Sequence, residues 1–97
     1  MSEDPGQPAP IRVDLIGRPG CHLCEEARTV VRRVCAETGT GWRERLTTED
    51  PRLAAEYAEF VPVVLVDGRW FSYWQVDPAQ LHNRLRSGAP DVAGFDP

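Results

Sequence analysis

Two cysteines stand where the pattern of the chain changes. Ile11-Arg12-Val13-Asp14-Leu15-Ile16 is an apolar run of strand length, and Gly17-Arg18-Pro19-Gly20 is a turn signal. From about His22 the apolar residues Leu23, Ala27, Val30, Val31 and Val34 recur at helical spacing, with Glu25, Glu26, Arg28, Arg32, Arg33 and Glu37 largely opposite them. The pair Cys21-His22-Leu23-Cys24 therefore falls between a strand over residues 11–16 and a helix over about 22–38. A helix N-terminus turns unpaired N–H groups toward the first sulfur and favours its thiolate. That effect brings such thiols from ~8.5 into the range of roughly 3.5–7.5. The second sulfur, one turn on, is placed to attack a mixed disulfide formed by the first. This chemistry expects a leading sulfur that is anionic and open to solvent.

The rest of the chain supplies partners for that strand and helix. Gly39 and Gly41 stop the helix, and Trp42 to Leu46 alternates as a second, partly exposed strand. Thr48-Glu49-Asp50-Pro51 opens a short helix with Thr48 as the expected cap and Leu53, Ala54, Tyr57 and Ala58 as its apolar face. Val61 to Val66 is a dense apolar strand, and Asp67-Gly68 joins it to Arg69-Trp70-Phe71 as a hairpin. Asp77 caps a last helix with Pro78 at its first position and Leu81 and Leu85 facing inward, and Gly88 ends it. The order β-α-β-α-β-β-α predicts an α/β fold, a four-stranded mixed sheet with helices on both faces. One domain over residues 11–87 is expected, with flexible tails at 1–10 and 88–97.

Composition excludes some functions. The 15 acids against 11 basic residues give a net charge of −4 with no basic stripe, so no nucleic-acid partner is expected. The sequence shows no apolar leader and no membrane-length apolar stretch, and the expectation is a cytoplasmic monomer without a membrane partner. Three cysteines with one tight pair point to catalysis or metal binding rather than a secreted disulfide framework. A zinc site is short of ligands, because His22 and Cys35 are the only further candidates nearby. No metal and no bound cofactor are expected.

The segment Arg18-Pro19-Gly20-Cys21-His22-Leu23-Cys24, the element order, and the Val61-Pro62 that opens the third strand resemble the glutaredoxin-like branch of the thioredoxin fold. The resemblance implies a thiol–disulfide oxidoreductase, with Cys21 as nucleophile and Cys24 as resolving thiol. It implies a cis bond at Pro62, which turns the Val61 backbone toward an extended cysteinyl substrate. It places Arg18 where a basic residue helps hold the carboxylate of glutathione. The implied partners are a disulfide-bearing protein and a small thiol such as glutathione as reductant. Phe60 stands where the family usually has Thr, and Ser72-Tyr73-Trp74-Gln75-Val76-Asp77 stands where it usually has a Gly-Gly turn.

Several residues carry two readings at this point. His22 either tunes the thiolate by its charge or is an exposed polar residue of the first turn. Asp14 needs a partner inside a core strand; it either faces outward near an edge, which is the preferred reading, or relays protons. Cys35 falls on the buried helix face and reads as an inert small hydrophobe. Trp70, Phe71, Tyr73 and Trp74 are mostly core and sheet surface, with Tyr73 or Trp74 lining a groove for a partner. The residues leave two other functions open, an Fe–S cluster held between two chains through Cys21 and a redox-inactive adaptor.

Overall fold

The computed structural model describes residues 10–87. The expected tails therefore lie outside the described residues, except Pro10, whose carbonyl accepts from Gly41 N–H at 3.1 Å and ties it to the sheet. The elements run β1 (Ile11–Gly17), α1 (His22–Thr38), β2 (Gly41–Leu46), α2 (Pro51–Tyr57), a 3-10 turn (Ala58–Phe60), β3 (Val63–Val66), β4 (Arg69–Tyr73) and α3 (Pro78–Ser87). The four strands lie in the order β2-β1-β3-β4, with β1 parallel to β2 and antiparallel to β3, and β3 antiparallel to β4. This is the thioredoxin-like α/β architecture.

Alternation along the strands divides the core between two faces. Val13 and Leu15 of β1 and Val64 and Val66 of β3 meet Ala27, Val31, Val34 and Cys35 of α1 and Leu81 and Leu85 of α3. Ile16 of β1 and Val63 and Leu65 of β3 turn the other way, toward Leu53 and Tyr57 of α2 and toward Cys21, Cys24 and Val61. Because β3 is buried on both faces, all four of its residues are apolar. No described helix is long and apolar enough to cross a membrane.

Side chains tie the layers together. Arg12 of β1 makes two 3.0 Å hydrogen bonds to the Asp67 carboxylate in the β3–β4 turn and a 3.2 Å bond to the carbonyl of Leu85 in α3. The Arg12 guanidinium holds the Asp67 carboxyl below its ordinary value. Asp67 and Gly68 both have positive φ, 53° and 81°, as a two-residue hairpin turn of this hand requires.

Two sequence expectations need correction. Asp14 does not sit near a sheet edge, since β1 is interior; its partner is Arg43, directly opposite on β2, and the two form an ion pair. The cap of α2 is Asp50, not Thr48. Its carboxylate accepts from Arg52 N–H at 2.9 Å, because Pro51 takes the first helical position and leaves the preceding residue as cap. Replacing Asp50 with Ala is expected to lower stability by about 1 kcal/mol. Thr48→Ala should stay within about 0.5 kcal/mol of the parent. Urea unfolding of both variants separates the two assignments.

Candidate functional site

The site forms where β1 runs out and α1 begins. Cys21 is the N-cap of α1, with extended backbone angles, and its Sγ accepts from Cys24 N–H at 3.1 Å. The next turn is closed by Glu25 N–H on the Cys21 carbonyl at 3.1 Å. Cys21 and Cys24 are joined as a disulfide, with Cα atoms 5.1 Å apart, a separation that three residues in a first helical turn supply. The first sulfur is thus held by the group that would stabilise it as a thiolate.

Burial grades the two thiols. Cys24 is 1% exposed and Cys21 8%. The leading residue is therefore less open in the disulfide form than the sequence suggested, since Ile16, Leu53, Val61 and Leu65 pack around the pair. It does, however, reach the wall of a crevice of about 340 Å³ that also holds Arg18, Glu25, Arg28, Glu44 and Glu49. Gly17 is part of this arrangement. A Cβ at that position would lie 3.2 Å from the Cys24 sulfur, so a side chain there would press on the disulfide and require it to shift by a few tenths of an ångström.

The crevice contains an ion pair that the sequence did not announce. Arg28 of α1 makes two 2.8 Å hydrogen bonds to Glu44 of β2. The pair joins helix to edge strand beside Cys21, and only the parallel β1–β2 register brings the two residues together.

The expected site residues fall in different places. Arg18 is exposed on the β1–α1 loop and shares the crevice with Cys21. The His22 side chain is 82% exposed and lies 3.5 Å from Glu26, one turn along α1; among the described residues no hydrogen bond joins it to either sulfur. Val61 packs in the cluster that holds Cys21 and Cys24, Pro62 is fully buried, and the bond between them is cis. Tyr73 stands at the end of β4, 47% exposed, in a row of aromatic rings rather than in the crevice. Trp70 is 43% exposed and so is not core, whereas Phe71 packs on the α1–α3 face with Arg84 lying 5.5 Å from its ring centroid.

A second, smaller crevice of about 160 Å³ lies between α1 and the β4–α3 loop, lined by Leu23, Glu26, Ala27, Val30, Trp74 and Val76. Leu23, expected in the core, is instead 42% exposed at its rim. It lies at the margin of the helix's buried stripe, which runs through Cys24, Ala27, Val31 and Val34. Trp74 has φ 68°, a left-handed backbone that costs a non-glycine residue about 1 kcal/mol. Its N–H donates to the Pro62 carbonyl at 2.8 Å and to Phe60 at 3.3 Å, and its indole N–H donates to the Glu59 carbonyl at 3.3 Å.

Cys35, the remaining cysteine, is free and lies on the buried face of α1. Burial pushes its thiol from an ordinary 9.0 up to about 11, opposed in part by the charge of Arg12. The folded protein therefore keeps this proton over a range in which the unfolded chain releases it. The stability from this group is intact below about pH 9 and is lost as the pH rises from 9 toward 11. Denaturant unfolding across that window should show a steeper decline for the parent than for Cys35→Ala. Equal slopes would remove the assignment. Among the described residues no three His, Cys, Asp or Glu side chains gather to hold a metal ion.

Comparisons with known proteins agree with this geometry. The chain is 35% identical over 75 residues to uncharacterized proteins of Mycobacterium tuberculosis and Mycobacterium bovis, covering 72% of this chain and 77% of theirs. An X-ray structure of a structural genomics target from X. campestris superposes with a TM-score of 0.65 at 28% identity, over 80% of this chain and 99% of that one. A thioredoxin mutant from Halobacterium salinarum shares the fold at 18% identity, with a TM-score of 0.59 over 90% of this chain and 95% of its own. The glutaredoxin-like domain family (DUF836) matches residues 12–86, a span that includes both thiols and all but the first residue of β1 and the last of α3, and the chain belongs to that family.

Proposed function

We propose that this chain is a dithiol–disulfide oxidoreductase. The observation that carries the reading is the cap of α1: the Cys21 sulfur accepts from Cys24 N–H at a helix N-terminus, with the Cys24 sulfur buried one turn away. In the reduced protein the Cys21 thiolate attacks one sulfur of a substrate disulfide. A Cys21–substrate bond forms, the substrate bond breaks, and the departing thiolate takes a proton from solvent. Cys24, as thiolate, then attacks the Cys21 sulfur and releases the second substrate thiol. The substrate has gained two electrons and the Cys21–Cys24 disulfide is left. Two molecules of a small thiol such as glutathione restore the dithiol and leave as their own disulfide.

Val61 and Pro62 are assigned to substrate positioning because Val61 packs in the cluster that holds the disulfide and the cis bond joins it to Pro62. Arg18 is assigned to a carboxylate of the reductant or substrate, as the charged residue on the loop before Cys21. Tyr73 is assigned to contact with a protein substrate, and His22 to a weak, solvent-screened influence on the thiolate. The setting is a reducing compartment, the cytoplasm, with the chain acting as a monomer and without a bound cofactor.

A redox titration tests the proposal. In thiol–disulfide buffers of graded potential, Cys21 and Cys24 should become alkylatable together, as one two-electron couple, and the reduced protein should cleave insulin disulfides. A pair that resists reduction until the protein unfolds, or a reduced protein inert toward insulin, would overturn it.

A further inference from the structure

Of the six large apolar residues most exposed among the described residues, four stand together: Phe60, Trp70, Tyr73 and Trp74. With the half-buried Tyr57 they form a continuous row. Tyr57 and Trp70 have ring centroids 5.3 Å apart, Phe60 lies 5.6 Å from both Trp70 and Tyr73, and Tyr73 lies 5.1 Å from Trp74. A shift of register between Val64 and Leu65 puts Trp70 and Tyr73, three residues apart on β4, on the same face of the sheet. The row covers the part of that face which the short α2 leaves bare. A contiguous exposed patch of this kind marks an interaction surface.

Charge decides what it fits. Two exposed acidic residues alternate with the ring residues along this part of the chain: Glu56, next to Tyr57, and Glu59, next to Phe60, whose backbone carbonyl accepts from the Trp74 indole N–H. The Tyr57 phenol is pushed up, first by burial and then by the negative charges of Glu56 and Asp14, with the charge of Arg45 opposing them in part. Four of the five rings are Trp or Tyr with faces that attract cations. The selectivity is local, because the four acids in excess over arginine, Glu3, Asp4, Asp91 and Asp96, all lie outside the described residues.

We propose that this row is the docking surface for a cationic, arginine- or lysine-bearing polypeptide segment next to the disulfide of a protein substrate. The row is continuous with the redox site. Phe60 directly precedes Val61-Pro62, and the Trp74 N–H is bonded to the carbonyls of both Phe60 and Pro62. A chain that presents its disulfide to Cys21 along Val61-Pro62 continues onto the rings. The carboxylates draw its basic side chains in and the ring faces hold them. The inference rests on the dithiol reading of the site.

The test uses three disulfide-linked peptide dimers of equal length, with arginine, glutamate or phenylalanine beside the cysteine. Each is reduced by the full reduced chain: the peptide disulfide becomes two thiols and Cys21–Cys24 closes. At low ionic strength kcat/KM for the arginine peptide should exceed that for the glutamate peptide by about tenfold or more, and 1 M salt should compress the ratio. The ratio should fall toward one in the Glu56→Gln/Glu59→Gln double variant and in Trp70→Ser. Because both peptides meet the same variant, loss of folded protein cancels. Equal rates for all peptides, a phenylalanine peptide as fast as the arginine one, or a ratio that survives both variants would overturn the surface while leaving the dithiol reading intact. A cysteine-free arginine peptide should also quench the tryptophan fluorescence of the oxidised chain. If it does so while none of the disulfides is reduced, the surface stands and the dithiol reading falls.

Discussion

Cys21→Ser is expected to abolish reduction of a test disulfide, with a loss on the order of a thousandfold or more, while the fold survives. The hydroxyl is neutral at any working pH, so the N–H of Cys24 no longer holds an anionic nucleophile, and no neighbouring thiol can replace it. Cys35 lies under α1 in the opposite layer of the core, and Cys24 is sealed from solvent. Cys24→Ser should behave differently. Its Cys21 still attacks, but nothing resolves the product, so a protein with one covalently attached partner accumulates and is visible as added mass. Far-UV circular dichroism establishes that both variants are folded. Retention of more than a tenth of the parent rate by Cys21→Ser would show that the sulfur at the helix cap is not the nucleophile. The adduct on Cys24→Ser also offers the most direct route to the substrate, since whatever remains attached to Cys21 can be identified.

Leu81→Ala is expected to cost about 3 kcal/mol, within the usual 2–5 kcal/mol for such a truncation. Leu81 is wholly buried and packs in the cluster shared by α1, α3, β1 and β3. A body of this size has little reserve, and each kcal/mol moves the melting temperature by about 4–8 °C, so a fall of at least 12 °C should follow. The cavity opens on the face away from Cys21 and Cys24. The loss therefore appears as instability, with the redox couple of the folded protein unmoved. Calorimetry and denaturant unfolding measure it. A change under 1 kcal/mol would mean that α3 is not packed as described.

The arginine–glutamate clasp beside Cys21 shows where sequence reading stops. Arg28 and Glu44 are sixteen residues apart, and nothing in their spacing relates them. They meet because α1 crosses over and returns the chain as β2, parallel to β1. The same holds for Arg43 opposite Asp14 and for Arg12 between Asp67 and Leu85. Leu23 and Trp70 carried the same limit in reverse. Leu23 belongs to the apolar repeat of α1 and Trp70 to a stretch divided between core and sheet surface, and both are exposed, at 42% and 43%.

What the amino-acid order alone determined is the local part of this protein. It contains the span of α1, the Asp-Gly hairpin, the Asp77 cap, and two thiols at a strand-to-helix junction, because each depends on contacts within a few residues. The order of apolar runs and turn signals gave the strand count, and the resemblance to the glutaredoxin-like family gave the cis bond before Pro62. Tertiary structure decided the rest: how far the leading sulfur is covered, which charges meet, and that five aromatic rings from α2, the 3-10 turn, β4 and the loop after it form one row. Those outcomes depend on which strands lie side by side and on a single register shift in β4. Such properties belong to pairs of segments distant in the chain, and no local pattern of residues encodes them.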